Sequence, residues 1–229
     1  MTTLHLGHDL AYPQACINWD LVDADLAFDF GISKCTQGLW EDNRHRSHVE
    51  GLLAHGKPFS EYLLHDTRFA VKSQFDTYVK YRIGGVIQDS LDLEWMLKWS
   101  QLEYYLKEGA NKWGRKWLLY SNYCILNQLA PWKNEILKYA DIWLAWPWGC
   151  HDLALASLTP LVWGDVKPKV WQYSWYYTAA DPGKSWLVKG KLDGDRFEGT
   201  EAEWREFISE TAPAPLTLDQ RVARLETFH

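Results

Sequence analysis

The amino-acid sequence predicts an α/β fold, namely a modified, incomplete (β/α) TIM-like barrel whose last strands lack full helices. Over the first two-thirds of the 229 residues, strand-like runs alternate with helical stretches, and this alternation is typical of a parallel sheet. After Pro147 the strand-like runs follow one another with turn-rich segments rather than helices between them. A chain of this length commonly forms a single barrel.

The predicted elements follow in chain order. Strands are predicted at residues 4–9, 28–35, 59–66, 84–95, 116–121 and 141–146, and then at 170–177 and 186–193. Helices are predicted at 43–55, at 67–81 and at 97–108, and the first and last of these end before Gly56 and Gly109. We expect the barrel to span residues 1–210.

A separate tail follows the predicted barrel at residues 211–229. The segment TAPAP at 211–215 has the composition of a linker, and Thr217 with Gln220 forms a capping-box pattern for a short helix. Apolar residues at coiled-coil spacing lie within that helix, namely Leu218, Val222 and Leu225. A helix this short is marginal alone. The tail therefore packs on the barrel, self-associates weakly through residues 217–229, begins a longer C-terminal region, or has no role.

The composition argues against several classes of protein. A net charge of −6 argues against nucleic acid as a partner, because phosphate binding needs clustered Lys and Arg. No apolar run approaches the roughly 20 residues that span a bilayer, so we expect no membrane insertion. The N-terminus shows no secretory signal. No CxxC spacing occurs, so we expect no metal site and four free, buried thiols: Cys16, Cys35, Cys124 and Cys150.

Asp92 and Glu94 are the strongest local candidates for chemistry. On a strand, residues two apart point to the same face with Cα atoms about 6.5 Å apart. Two neighbouring carboxylates repel, so one of them is driven toward the protonated form. Glycoside hydrolysis needs this division between a protonated acid and an ionised group. Taken alone, such a pair is also common on solvated surfaces.

Further candidates lie where predicted strands end, because barrel enzymes carry their chemistry at the C-terminal ends of the strands. We expect six residues near one mouth: Asp9, Lys34, Tyr62, Asp92, Glu94 and Tyr120. The 15 Trp and 12 Tyr residues also offer flat apolar faces for sugar rings. We expect the Trp171 side chain to lie partly in the core and partly in the groove. The plain alternatives are a loop cap for Asp9, a salt bridge for Lys34 and core positions for the two tyrosines.

Nine short segments occur in an order that resembles the family 25 glycoside hydrolases, which are lysozymes. They are Gly7-His8-Asp9, Ile17-Asn18-Trp19, the segment from Ile32 to Gly38, the segment from Ser60 to Leu64, Asp92-Leu93-Glu94, Leu119-Tyr120-Ser121, the segment from Ile142 to Ala145, Trp171-Gln172-Tyr173, and the segment from Asp193 to Thr200. Each segment is common alone, whereas nine in this order, over residues 4–208, are specific.

The resemblance implies cleavage of the β-1,4 bond between N-acetylmuramic acid and N-acetylglucosamine, with retention and without a cofactor. By position, Glu94 matches the general acid of the family and Asp92 its partner carboxylate. Asp9 and Asp193 match two further acidic residues of the groove. We expect substrate contacts from Asp9, Asp193, Tyr62, Lys34, Tyr120 and Trp171.

Four departures from the family pattern bear on substrate detail. Gln37 replaces a glutamate near the mouth, and Leu63 replaces a histidine beside Tyr62. The segment before Asp92 is more polar than usual. Asp195 stands where the family has asparagine.

Three functions stay open on these grounds. The first is a retaining muramidase, made in a host cytoplasm and released onto the cell wall at lysis, as a phage endolysin is. The second is a barrel that binds peptidoglycan glycan strands without hydrolysis, such as a phage particle component. The third is an unrelated barrel enzyme, such as a deacetylase or another glycosidase.

Overall fold

A computed structural model describes residues 2–12, 17–22, 28–146, 161–177 and 192–208 of the chain. The strands in these residues are β1 (Thr2–Leu10), β2 (Phe30–Gln37), β3 (Trp40–Glu41), β4 (Phe59–Leu64), β5 (Ser90–Leu93), β6 (Trp117–Asn122), β7 (Ala140–Ala145), β8 (Val170–Tyr177) and β9 (Leu192–Thr200). The helices are α1 (Trp19–Val22), α2 (His45–Ala54), α3 (Val71–Tyr81), α4 (Trp99–Trp113), α5 (Tyr123–Gln128), α6 (Lys133–Tyr139) and α7 (Glu201–Phe207), with a short 3₁₀ turn at Ala130–Trp132.

Eight of the described strands close a barrel, which confirms the predicted fold class. Parallel pairing runs from β1 through β2, β4, β5, β6 and β7 to β8. Strand β9 is antiparallel to both of its neighbours and closes the barrel between β8 and β1. Strand β3 lies outside the barrel and forms a hairpin with β2. The seven parallel strands therefore share one C-terminal mouth, and β9 begins there.

Apolar side chains fill the barrel on both sides of its wall. The interior holds Phe30, Ile32, Tyr62, Leu118, Trp143 and Phe197. The larger outer core packs the opposite strand faces, including Leu63, Leu91 and Leu93, against α3 to α6. The two-residue alternation along each strand produces this division. In β5 it sends Leu91 and Leu93 outward, so Asp92 points inward.

Helix α7 closes the barrel at the end opposite the mouth. Thr200 caps it: the side chain accepts from Glu203 N, and the Glu203 carboxylate accepts from Thr200 N in return. The helix adds Trp204 and Phe207 to the interior core beneath Phe30. His5 stacks on Trp204 with a ring-centroid distance of 3.8 Å.

The predicted strand at 84–95 was too long. The structure has strand only at Ser90–Leu93, and the preceding glycines hold a close backbone contact instead. A Cβ atom at Gly85 would lie 1.9 Å from the carbonyl oxygen of Phe59. Ile87 N donates to that same oxygen at 3.0 Å, so residues 84–87 fix the entrance of β4 rather than extend β5.

The predicted end of the helix at residue 108 was also wrong. Helix α4 continues to Trp113 and ends at Gly114, whose φ of 65° is left-handed and suits glycine. Gly109 lies inside the helix because the Trp117 side chain packs against it. A Cβ atom there would come within 1.9 Å of Trp117 Nε1. A glycine in a helix can thus mark close packing rather than a terminus.

Other predictions fall partly or wholly beyond the described residues. The predicted strand at 186–193 overlaps β9 only at its end, and β9 continues to Thr200. The linker at 211–215 and the helix at 217–229 lie outside the described residues. Among the helices of the described residues, none is long and apolar enough to span a membrane.

Candidate active site

Four acidic side chains meet at the mouth of the barrel. Asp9 is the second-last residue of β1, and it pairs in register with Asp193 at the start of β9. Asp92 is the second-last residue of β5, and Glu94 follows the end of that strand. The structure therefore brings together the four acids that the sequence analysis selected from three distant segments.

The four carboxyl groups differ in their exposure to solvent. Asp9 and Asp92 are buried, with 8% and 7% of their surfaces exposed. Asp193 is half-buried and Glu94 is exposed. Of Asp92 and Glu94, Asp92 is the deeper carboxyl group, and Glu94, directly after β5, is the more accessible one.

Burial and like charge shift the titration of these acids. Desolvation, followed by the Glu94 carboxylate, raises the pKa of Asp92 well above 3.8. Desolvation, followed by Asp193, raises the pKa of Asp9 in the same direction, and burial raises the pKa of Asp193 to about 6. The mouth thus holds carboxyl groups that exchange protons closer to neutral pH than free aspartate does.

Lys34 supplies the opposing positive charge. Its ammonium group lowers the pKa of both Asp9 and Asp92, although burial outweighs this effect. The Nζ atom lies 5.9 Å from the centre of the Tyr62 ring and donates to Gln37 Oε1 at 3.1 Å. Gln37 is therefore an exposed neutral partner of this lysine at the position where the family pattern has glutamate.

Gln172 is a site residue that the sequence analysis did not select. Its Nε2 atom donates to Asp9 Oδ2 at 2.7 Å, and its Oε1 atom accepts from the Tyr120 hydroxyl at 2.8 Å. The residue is 1% exposed, so the amide is fixed on both sides. The alternation of side chains along β8 could have predicted this position. A polar side chain between Trp171 and Tyr173 is expected to point to the opposite face of the strand from those two rings.

Asp195 adds a further carboxyl below Asp9. It is wholly buried, and its Oδ1 atom accepts from Trp143 Nε1 at 2.8 Å. Burial first, and then the charge of Asp9, raises the pKa of Asp195 well above 3.8. Trp143 in turn packs edge-on against Tyr120 and Tyr62, so this carboxyl is linked to the floor of the mouth.

No protein-family model matches the sequence, and no curated protein matches it. Solved structures match in fold. A bacterial lysozyme from Streptomyces coelicolor has a TM-score of 0.71 and 18% identity over 89% of this chain and 95% of that chain. A family 25 lysozyme from Aspergillus fumigatus has a TM-score of 0.67 and 20% identity over 90% of this chain and 100% of that chain. The catalytic domain of an endolysin from bacteriophage P40 of Listeria monocytogenes has a TM-score of 0.63 and 16% identity over 90% and 98%.

The chain has the family 25 lysozyme fold. This confirms the resemblance that the nine ordered segments predicted. The segments that contribute to the mouth lie at strand ends of this barrel.

One selected residue, Trp171, and one departure from the family pattern, Leu63, do not face the mouth of the barrel. Trp171 lies on the outer face of β8 in the outer core, is 7% exposed, and donates from Nε1 to the Trp146 carbonyl at 3.3 Å. Its ring also packs against Arg196. Leu63 is buried in the same outer core, so its substitution for histidine does not alter the lining of the mouth. The strand pleat decides both orientations.

The other selected residues lie at the mouth or directly beneath it. Tyr62 is 6% exposed and forms part of the floor, while Tyr120 and Lys34 are half-buried. Trp95, directly after Glu94, is 50% exposed and gives the mouth a flat apolar edge. Among the described residues, the barrel therefore presents acidic groups, Lys34 and aromatic surfaces at a single opening.

Proposed function

We propose that this chain is a muramidase, which hydrolyses the β-1,4 bond between N-acetylmuramic acid and N-acetylglucosamine in bacterial peptidoglycan. The fold shared with lysozymes supports this activity. The observation that carries the proposal is the acidic pair at the end of β5, in which the exposed Glu94 lies above the buried Asp92 at the barrel mouth. Asp9 and Asp193 face the same pair from the opposite side of the mouth.

Glu94 is the proton donor in this mechanism. A glycan strand that lies across the mouth places its glycosidic oxygen against the exposed carboxyl group. The bound sugars displace water from the Glu94 carboxyl group. Proton transfer to that oxygen lets the leaving sugar depart as an alcohol while positive charge develops on the anomeric carbon. The Glu94 carboxylate then removes a proton from the water that completes hydrolysis.

Asp92 stabilises that charge from below. Its Oδ1 atom is buried and has no hydrogen-bond donor among the described residues. An N–H of the substrate's acetamido group would supply the missing donor, and the acetamido oxygen would then attack the anomeric carbon. Direct attack by a carboxylate is the other route, and both routes retain the configuration at that carbon. Asp92 must be ionised in either case, and the Lys34 ammonium group favours that form against the opposing effects of burial and Glu94.

The remaining mouth residues position the sugars. Lys34 lies near Asp9 and Asp92 and can donate to sugar oxygens without leaving the mouth. Tyr120 and Trp95 offer ring faces at the opening, and Asp9 and Asp193 accept from sugar hydroxyls. Because the proposed substrate is the cell wall, we expect the chain to act on the cell wall. The word endolysin implies the same place of action for the bacteriophage P40 protein.

The decisive experiment combines a clearing assay on purified cell walls with mass spectrometry of the products. A muramidase leaves reducing ends on muramic acid, whereas a glucosaminidase leaves them on glucosamine. We expect Glu94→Gln to lose about 10²- to 10⁴-fold in turnover and to keep the thermal unfolding midpoint of the wild type. Glu50→Gln, an exposed change on α2, is the matched control and should keep full activity.

Two outcomes would contradict the proposal in different ways. Near-complete activity in Glu94→Gln would remove the assignment of the proton donor. Binding of cell wall by the wild type without any clearing would instead identify a peptidoglycan-binding barrel. The anomer first released from a soluble muropeptide, followed by proton NMR, tests retention separately.

A further inference from the structure

A second cluster of reactive side chains lies behind the mouth, on the outer side of the barrel wall. Cys35 on β2, His45 at the start of α2 and Glu61 on β4 are all 0% exposed. The sulfur, one imidazole nitrogen and one carboxylate oxygen lie within 4.8 Å of one another. Three different elements therefore bring three different metal-ligating atoms to one point.

The position of Cys35 depends on a β-bulge. Strand β2 pairs with β4 through Lys34–Tyr62 and then Thr36–Leu63, so Cys35 is the extra residue. Bulges re-aim side chains and are frequent beside active sites. Here the bulge keeps Lys34 at the mouth while the thiol of Cys35 points outward to His45 and Glu61.

The surrounding groups already resemble the outer shell of a metal site. His45 Nδ1 lies 3.1 Å from Glu41 Oε1, which also accepts from Arg46. The Glu61 carboxylate accepts from Ile83 N at 2.9 Å and from Gly84 N. Metal-bound histidines usually donate their second N–H to a carboxylate in this way, which fixes the ring and its tautomer.

We propose that Cys35, His45 and Glu61 bind one divalent transition-metal ion of the zinc class. A thiolate, an imidazole and a carboxylate together suit Zn²⁺ or Co²⁺ rather than Mg²⁺ or Ca²⁺, which prefer oxygen ligands alone. Three protein ligands leave one coordination position, for a water molecule or the second Glu61 oxygen. The ion would tie β2, β4 and α2 together directly behind Lys34 and Tyr62.

The charge balance and the interatomic distances are both compatible with replacement of protons in this cluster by a metal ion. His45 Nε2 lies 2.7 Å from Glu61 Oε1, so a proton holds the pair in the metal-free protein. Metal bonds of about 2.0–2.3 Å place tetrahedral donors roughly 3.3–3.6 Å apart, so the pair must open by somewhat more than half an ångström. Entry of the ion releases one proton from His45 and one from the Cys35 thiol. Because a divalent ion replaces two protons, the net charge of the buried cluster is unchanged.

The test is metal binding by the purified full chain after treatment with a chelator. We expect one Co²⁺ per chain with the ultraviolet charge-transfer absorption of a cobalt–thiolate bond. We also expect Zn²⁺, at about a hundredfold excess over its dissociation constant, to raise the thermal unfolding midpoint by about 5–10 °C. Cys35→Ala should lose the absorption and the shift, and Cys124→Ala, which removes an exposed thiol, should keep both.

A second variant guards against loss of folding in Cys35→Ala. His45→Gln can still hydrogen-bond to the carboxylates but is a poor metal ligand, so it should fold and show no zinc-dependent shift. The proposal is overturned if the wild type gives no thiolate absorption, or if that absorption persists in Cys35→Ala. Neither readout uses hydrolysis, so failure here is distinct from failure of the proposed function.

Discussion

The side-chain amide of Gln172 donates a 2.7 Å hydrogen bond to the Asp9 carboxylate across the mouth of the barrel. The same amide accepts from the Tyr120 hydroxyl at 2.8 Å, so its orientation is settled by its partners. Strands β1, β6 and β8 are thereby linked through side chains as well as through their backbones. This hydrogen bond also lowers the pKa of Asp9 against the larger effect of burial.

Removal of this bridge should destabilise the protein in a pH-dependent way. Gln172→Ala leaves the buried Asp9 carboxylate without its donor, so we expect the free energy of unfolding to fall by about 1–3 kcal/mol at pH 7. The folded-state pKa of Asp9 rises further, so stability is lost as pH rises through it and the deficit is smaller at pH 4. Urea unfolding at both pH values measures this. Gln128→Ala, an exposed change on α5, should show neither effect.

Lys34 should set the acid side of the pH–activity profile. Lys34→Met removes the charge that lowers the pKa of Asp9 and Asp92, so both carboxylates take up protons at higher pH. We expect the acid limb of kcat/KM to move to higher pH, with a several-fold greater loss at pH 5 than at pH 8. Lys112→Met, on the exposed face of α4, is the control. An equal loss at every pH would mean that Lys34 acts only by contact with the substrate.

Asp195 should be replaceable with a gain in stability. Burial raises its pKa, so its contribution is fully present below about pH 3.8 and is lost as pH rises through the folded value. Asp195→Asn keeps an oxygen for Trp143 Nε1 and avoids the buried charge. We expect the variant to unfold at a higher temperature than the wild type at pH 7 and at nearly the same temperature at pH 3.5, where the wild-type carboxyl group is largely protonated in both states. Thermal unfolding across that range, with the exposed Asp20→Asn as control, checks the sign.

Substitutions of Tyr120 and Trp171 should distinguish a residue that contacts substrate from one that only packs in the core. Trp171 lies in the outer core, so Trp171→Phe should lower the unfolding midpoint and leave kcat/KM of the folded protein within about twofold. Tyr120→Phe removes a hydroxyl that Gln172 holds at the mouth, and it should reduce kcat/KM by several-fold. The reverse pattern would place Trp171 in the groove after all.

The ion-pair cluster at Asp89 should contribute strongly to folding. Asp89 is 1% exposed and accepts from Arg82 at 2.7 Å and from the Tyr78 hydroxyl at 3.0 Å. Asp89→Asn leaves buried positive charge uncompensated, so we expect a loss of about 3–5 kcal/mol in the free energy of unfolding. Asp76→Asn breaks the exposed pair with Lys72 and should cost under about 1 kcal/mol. Denaturant titration of both variants makes the comparison.

The alternation of side chains made much of the mouth predictable. In Leu91-Asp92-Leu93-Glu94 the apolar residues alternate with acids, so one strand face is acidic wherever the strand lies. The same rule predicts that Gln172 and Trp171 face opposite sides of β8, and it would have excluded Trp171 from the groove. The mouth residues that alternation does predict are brought together because parallel strands end at one edge of the sheet.

Local signals were less decisive where a tertiary contact competes with them. A glycine such as Gly109 is typical of the end of a helix. Here the Trp117 side chain occupies the space that a larger residue would need, and the helix continues past Gly109. The residues before β5 have strand-like composition, but the backbone of Gly85 is held against β4. In both cases packing outweighed a preference worth about 1 kcal/mol.

By itself, the sequence determined the barrel class, the alternation of strands and helices over the first two-thirds of the chain, and the acidic pair of Asp92 and Glu94, because these depend on local periodicity and on the order of segments along the chain. Only the tertiary structure decided that β9 runs antiparallel, so that Asp193 meets Asp9. It also decided that Gln172 joins Asp9 to Tyr120, and that Cys35, His45 and Glu61 converge. These relationships connect residues far apart in the chain, and they depend on strand direction, a β-bulge and helix packing, which no local pattern records.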